Sequence, residues 1–222
     1  MIKVEYGLKV GADFIVGTGT GSISSDDRTV TVIPQVKAEI AGQPLIPGST
    51  IKGLVRWEAA ALCGFLDIWT CDGRLGKNRT LCGVNHQGIC PVCAIFGSNL
   101  YPSALHFSTP EIQSPTSNEL KRRAFNAVDP KTGTVEEHKL FFLEMARGGE
   151  FKGWIEQYGP LPDPLFHDDR IPRMIDTILR ASLGMVRAIG GGKSRGHGSC
   201  QFTVDRWPTP DEIKEVGKSW LF

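Results

Sequence analysis

Ile2, Val4, Tyr6, Leu8 and Val10 alternate with Lys3, Glu5, Gly7 and Lys9. This is the period-two pattern of a strand with one face in a core. A Gly/Ser-rich stretch follows, GTGTGSISSDD over residues 17–27, and then a second β-like run, RTVTVIPQV. After LIPGST the period lengthens, and Ile51, Leu54, Val55, Leu62 and Phe65 fall on one side of a helix. Residues 67–100 carry cysteines and glycines without periodicity, SALHFST reads as a strand, and residues 109–138 are polar and rich in Pro, Asn and Lys. KLFFLEMA and EFKGWIEQY read as two further strands around Gly148-Gly149, a hairpin turn. A helix is expected after Pro172, with Ile175, Ile178, Leu179 and Val186 inward, then a glycine-rich loop, then a last strand, SCQFTVDRW.

With the insertions set aside, the order is β, α, β, β, β, α, β. It fits an α+β, ferredoxin-like core of βαββαβ type with an early extra hairpin, in one domain spanning residues 1–222. Residues 67–100 and 109–138 are expected to be insertions.

Charge narrows the partners. Lys+Arg 25 against Asp+Glu 24 leaves a formal +1 over 222 residues, so any polyanion must be recognised by local placement of charge. No apolar run is long enough to span a bilayer, and the alternating N-terminus lacks a signal-peptide core. The expectation is a cytoplasmic protein without a membrane partner.

IGGGKSRGHG, Ile189 to Gly198, holds five glycines, Lys193, Ser194, Arg195 and His197. Glycine lets backbone N–H groups approach a phosphate closely. A P-loop ending at Gly192-Lys193-Ser194 needs glycine at position 187, where the chain has Arg187. A P-loop also runs from strand to helix, whereas here a helix enters and a strand leaves. The remaining readings are a helix-to-strand turn and a loop that follows a nucleic-acid backbone through Gly191, Gly192, Lys193, Ser194, Arg195 and His197. The second is favoured by another basic element. In IPGSTIKGLVRW, Ser49, Lys52 and Arg56 stand at i, i+3 and i+7, with Thr50 beside them, in the first two turns of a helix. A hydroxyl, an ammonium and a guanidinium near a helix N-terminus make a phosphate-binding strip.

Cys71, Cys82, Cys90 and Cys93 give C-x10-C-x7-C-x2-C. The C-x2-C half lets two thiolates converge on one ion, and the other pair completes a tetrahedron. The expectation is structural zinc with four protein ligands, His86 being an alternative to one thiolate. The region has little apolar content to hold it folded without a metal. Cys63 and Cys200 lie in helix and strand patterns and are expected in the core.

PLIPGSTIKGLVR followed late in the chain by GGGKSRGHG resembles the RAMP superfamily of CRISPR-associated proteins, and within it a backbone subunit of type III effector complexes. FNAVDPKTGTVEEHKLFFLEMARGGEFKGWI (Phe125–Ile155) is similar to the segment such subunits carry before their central hairpin, and CPVCAIFGS to a Cys-rich element of several of them. The resemblance covers about residues 44–200.

It implies an RRM-like core that stacks along a guide CRISPR RNA with further copies or other effector subunits. A thumb-like hairpin from residues 109–138, with Lys121, Arg122 and Arg123, would interrupt guide–target pairing. It also implies cleavage of target RNA by an aspartate on a loop after the first strand, assisted by Mg²⁺ or Mn²⁺; Asp26 and Asp27 are the acids there. In the relatives that acid lies nearer the IPGS motif, where this chain has uncharged VTVIPQV. A scaffold without cleavage therefore stays open, as does a stand-alone zinc-containing RNA-binding or guide-processing RAMP endoribonuclease.

Overall fold

The computed structural model describes residues 1–16, 45–71, 82, 88–113, 121–161 and 169–220. Asp26, Asp27, His86 and the RTVTVIPQV strand lie outside the described residues.

The alternating N-terminus forms β1 (Lys3–Val10), and Ile2, Val4, Tyr6, Leu8 and Val10 are all buried. Helix α1 (Gly48–Phe65) follows, then the short helix α2 (Pro91–Phe96), β2 (Leu105–Phe107) and β3 (Glu111–Ile112). Next come β4 (Lys121–Val128), β5 (Val135–Met145), β6 (Glu150–Gln157), α3 (Ile171–Met185), β7 (Cys200–Val204) and α4 (Pro210–Ser219). The main sheet runs β2-β6-β1-β7, with β3 also pairing β6, and every pairing is antiparallel. Counting only β1, β2, β6 and β7 as the four core strands, this order is the one a βαββαβ chain adopts when both crossovers place α1 and α3 on one face. The two helices pack on each other there. The fold is ferredoxin-like, as the sequence pattern indicated.

Helix α1 buries Ile51, Val55, Ala59, Leu62 and Cys63, a stripe at spacings of three and four. Ile51, Val55 and Leu62 are inward as expected, whereas Leu54 is only half-buried and Phe65 is 79% exposed, small Ala59 and Cys63 completing the stripe instead. Helix α3 buries Ile175, Ile178 and Leu179 as expected. Arg180, 6% exposed, donates to Asp176 and Asp205 and to the carbonyls of Arg206 and Lys3, fastening α3 to the ends of β7 and β1. Among the described residues no helix is long and apolar enough to cross a membrane.

Three local expectations are corrected. Gly148-Gly149 does not turn a hairpin, because β5 pairs with β4 in a separate two-stranded ribbon while β6 pairs with β1. Gly148 is needed for another reason: a Cβ there would lie 2.2 Å from the Val10 carbonyl oxygen. The ribbon therefore spans 121–145, overlapping the expected polar insertion and extending beyond it. Residues 67–100 are not all aperiodic loop. Ile89, Val92, Ala94, Ile95 and Phe96 are buried in the main core, so the second half of this segment has apolar support of its own. Finally, α4 follows the strand that was read as the last element. Its start is a capping box in which Glu212 N–H donates to Thr209 Oγ1 at 3.2 Å and Thr209 N–H to Glu212 Oε2 at 2.8 Å.

Candidate nucleic-acid interface and metal centre

The antiparallel order brings several chain segments to one end of the sheet. Val10, at the end of β1, pairs with Cys200 at the start of β7, and Lys9 pairs with Glu150 at the start of β6. Helix α1 starts against β2: a Cβ on Gly48 would sit 2.2 Å from the carbonyl oxygen of Phe107, which pairs with Ile155 at the level of Val4. The glycine of IPGS thus permits a close helix–strand approach.

The glycine-rich loop closes between Ala188 and Ser199, which form an isolated antiparallel bridge. Gly190, Gly192, Gly196 and Gly198 have φ of +76°, +72°, +80° and +66°, and a 3-10 turn spans Lys193–Arg195. Two of its amides are used internally, Gly191 N–H on the Ile15 carbonyl at 2.8 Å and Gly198 N–H on the Asp13 carbonyl at 2.9 Å. These bonds dock the loop on the segment after β1 and leave Lys193, Ser194 and Arg195 exposed on its crest. His197 is buried, edge-on to Phe125 with ring centroids 5.9 Å apart. The Arg195 guanidinium lies 5.6 Å from the same ring, so the ribbon and the loop meet at Phe125.

The ribbon adds cations at its base. Lys121 Nζ and an Arg123 guanidinium nitrogen lie 3.5 and 3.2 Å from Asp13 Oδ2. Beside them runs an open groove of about 640 Å³ lined by Lys9, Gly11, Asp13, Lys121, Arg147 and Gly149. Sequence reasoning missed Asp13, Lys9 and Arg147. Arg147-Gly148-Gly149 was the available signal, a basic residue before a flexible pair. Nothing local in the sequence announces that Asp13 meets residues more than a hundred positions away.

On α1, Ser49 is exposed and Thr50, Lys52 and Arg56 are half-buried. Lys52 Nζ lies 5.9 Å from the Phe107 ring centroid, and Arg56 donates to the Gly97 carbonyl at 2.8 Å. Burial, and then the Arg56 charge, pull the Lys52 pKa below the usual lysine value. An anion arriving there would favour the charged ammonium again. Helix α1 thus begins beside β2 at one edge of the main sheet, whereas the glycine-rich loop leads into β7 at the other.

The Sγ atoms of Cys71, Cys82, Cys90 and Cys93 all lie within 4.8 Å of one another. The Cys71–Cys93 and Cys71–Cys90 separations are 3.3 and 3.9 Å. A tetrahedral ion with metal–sulfur bonds of about 2.3 Å needs sulfurs about 3.8 Å apart, so the quartet fits a metal ion. Cys82, Cys90 and Cys93 are buried, and Cys90 N–H donates to Cys82 Sγ at 3.2 Å. Hydrogen bonding from the Cys93 thiol holds Cys90 down to about 5, while burial pushes Cys82 up to about 12. The site is tied to the fold from both sides: Cys90 caps α2, and the buried Trp220 indole donates to the Ile89 carbonyl at 3.4 Å. Cys63 is in the core, and Cys200 is half-buried in β7.

Together these features define a ferredoxin-like domain with a separate two-stranded ribbon, a basic glycine-rich loop and four cysteines that could hold a metal ion. The family model of the RAMP superfamily matches residues 8–201, and the chain belongs to that superfamily. A search of the curated proteins gave no match. Among solved structures, a chain described as "Type IV-B CRISPR Complex" is similar over 100% of both chains, with 18% identity and a TM-score of 0.61. At that identity the likeness concerns the fold.

Proposed function

We propose that this chain is a subunit of a CRISPR effector complex that holds guide RNA by its phosphate backbone. The observation that carries the reading is the docked glycine-rich loop, with Lys193, Ser194 and Arg195 exposed on its crest in a RAMP-superfamily fold; the α1 strip beside β2 is proposed as a second contact. These groups offer charge and hydrogen-bond donors, which suits contact with a phosphate backbone independent of sequence. The chain's motifs favour a type III backbone subunit; the similar solved chain comes from a complex described as type IV-B. The β4–β5 ribbon is the proposed thumb, its turn presenting the cross-strand pair Val128 and Val135, both more than half exposed. The thiolate quartet is proposed to hold zinc in a structural role, since four sulfur ligands leave no open position for chemistry. The cleavage expectation depends on Asp26 and Asp27, and the described residues add nothing to it.

The reading is tested by fluorescence anisotropy with single-stranded RNAs of unrelated sequence. Lys52→Ala, Arg56→Ala and Lys193→Ala are expected to weaken every RNA to the same degree. Each should make the slope of log affinity against log salt shallower by about 0.7. Wild-type binding that depends strongly on sequence and loses that dependence in these variants would contradict backbone contact.

A further inference from the structure

One acid stands at the junction of ribbon, glycine loop and sheet. Asp13 Oδ2 accepts from the Arg123 guanidinium and forms an ion pair with Lys121, and the Asp13 backbone carbonyl accepts Gly198 N–H of the glycine loop. The next residue, Phe14, bridges Ala146 at the end of the ribbon. Only 15% of the Asp13 side chain is exposed, against 40% and 51% for Lys121 and Arg123. The carboxylate thus sits inward and the two cations outward, and Asp13 and Lys121 line the groove that also takes in Lys9, Arg147 and Glu150.

We propose that Asp13 is a built-in competitor for the ribbon's cations, a positioning residue that lowers affinity for RNA and sets how the ribbon's base meets it. The inference rests on the RNA-backbone reading above. A phosphate that reaches Lys121 and Arg123 finds their charge already balanced in part by Asp13, and it also feels Asp13 as a like charge a few ångströms beyond them. Both effects weaken non-specific contact. Binding at the ribbon base then needs a strand that is also held by Lys193, Arg195 and the α1 strip.

The fold does not depend on this carboxylate. The Gly198 and Phe14 contacts are made by backbone, and Phe125 joins the ribbon to His197 and Arg195 independently. Lys121 and Arg123 reach solvent, so their cations stay hydrated without Asp13, and the neutral Asn is close in size to Asp; Asp13→Asn should therefore fold like the wild type.

The test uses the full-length protein and a fluorescent oligouridylate over a salt series. Asp13→Asn is expected to bind about three- to ten-fold tighter at low salt. Its salt slope should steepen by up to about 1.4, two freed cations each counting about 0.7. Adding Lys121→Ala and Arg123→Ala to Asp13→Asn should abolish the gain. The same pair of alanine changes should cost less affinity in the wild-type background than in the Asp13→Asn background. Thermal unfolding and circular dichroism check that each variant is folded. An Asp13→Asn protein that is folded but binds RNA equally or more weakly, with an unchanged slope, overturns the proposal. A wild-type protein whose RNA binding ignores Lys193→Ala and Arg195→Ala fails the RNA reading itself, a result visible without any Asp13 variant.

Discussion

Gly190→Ala is expected to lower the melting temperature by about 4–16 °C, the equivalent of roughly 2–4 kcal/mol in a domain of this size. Two costs add. Gly190 has φ +76°, a left-handed conformation that costs a side-chain-bearing residue about 1–3 kcal/mol. A Cβ there would also lie 2.0 Å from the Ile15 carbonyl oxygen, which itself accepts Gly191 N–H. Backbone meets backbone, and the collision is relieved only by lifting the loop off residues 13–15. Lys193 and Arg195 would move with it, so RNA affinity should fall with stability. Gly196→Ala is the control: φ is +80° but a Cβ would meet nothing within 4 Å, so only the backbone strain is felt. Differential scanning calorimetry on the two variants checks the contrast. Equal, small shifts would mean that the loop is not docked as described.

Replacing Cys90 and Cys93 together with serine is expected to remove the bound metal altogether, from one equivalent to background by elemental analysis. Both ligands of the C-x2-C half disappear, and two thiolates do not hold an ion against water and competing thiols. Limited proteolysis should then cut between Cys71 and Cys90. The sheet and α2 should persist, because Ile89, Ile95 and Phe96 are buried in the core without help from the metal. Metal retention should also fall as pH is lowered, since each ligand must lose its proton to bind. Protein purified without chelator and free of stoichiometric metal would end the metal assignment.

The parts of the fold that were legible in the sequence are those where burial writes a period. β1 shows every second residue inward, and α3 shows Ile175, Ile178 and Leu179 on one face. The ribbon was less legible because it stands apart from the main sheet and pairs only within itself. Lys121, Arg122 and Arg123 open β4, and its apolar positions are interrupted by Asn126. A strand pairing only with its neighbour, away from the core, leaves a weak alternation. The same condition made KLFFLEMA resemble a partner of EFKGWIEQY, when the two belong to different sheets.

Short helices were missed for want of length, although their caps were present. Pro91 and Gly97 bracket α2, and Thr209, Pro210 and Glu212 start α4. For the candidate site, glycine was the ambiguous letter. The same residues that let a backbone approach a phosphate also let Gly190 approach Ile15 and Gly198 approach Ile189, and composition does not separate the two. Basic side chains on the loop crest and on α1 were readable from spacing. The meeting of Asp13 with Lys121 and Arg123 depends on how the ribbon is set against β1, which becomes visible only in three dimensions.

The basic groups of the glycine-rich loop and of α1 are proposed to line the chain up along an RNA backbone. Native mass spectrometry of the protein with single-stranded guides of two lengths tests this most directly, because it counts chains on each RNA. The account predicts protein–RNA assemblies whose copy number rises in step with guide length. Those assemblies should be lost from the Lys52→Ala, Arg56→Ala, Lys193→Ala triple variant. One chain per RNA at both lengths would instead indicate a processing enzyme acting alone, and no complex with either RNA would contradict the account outright.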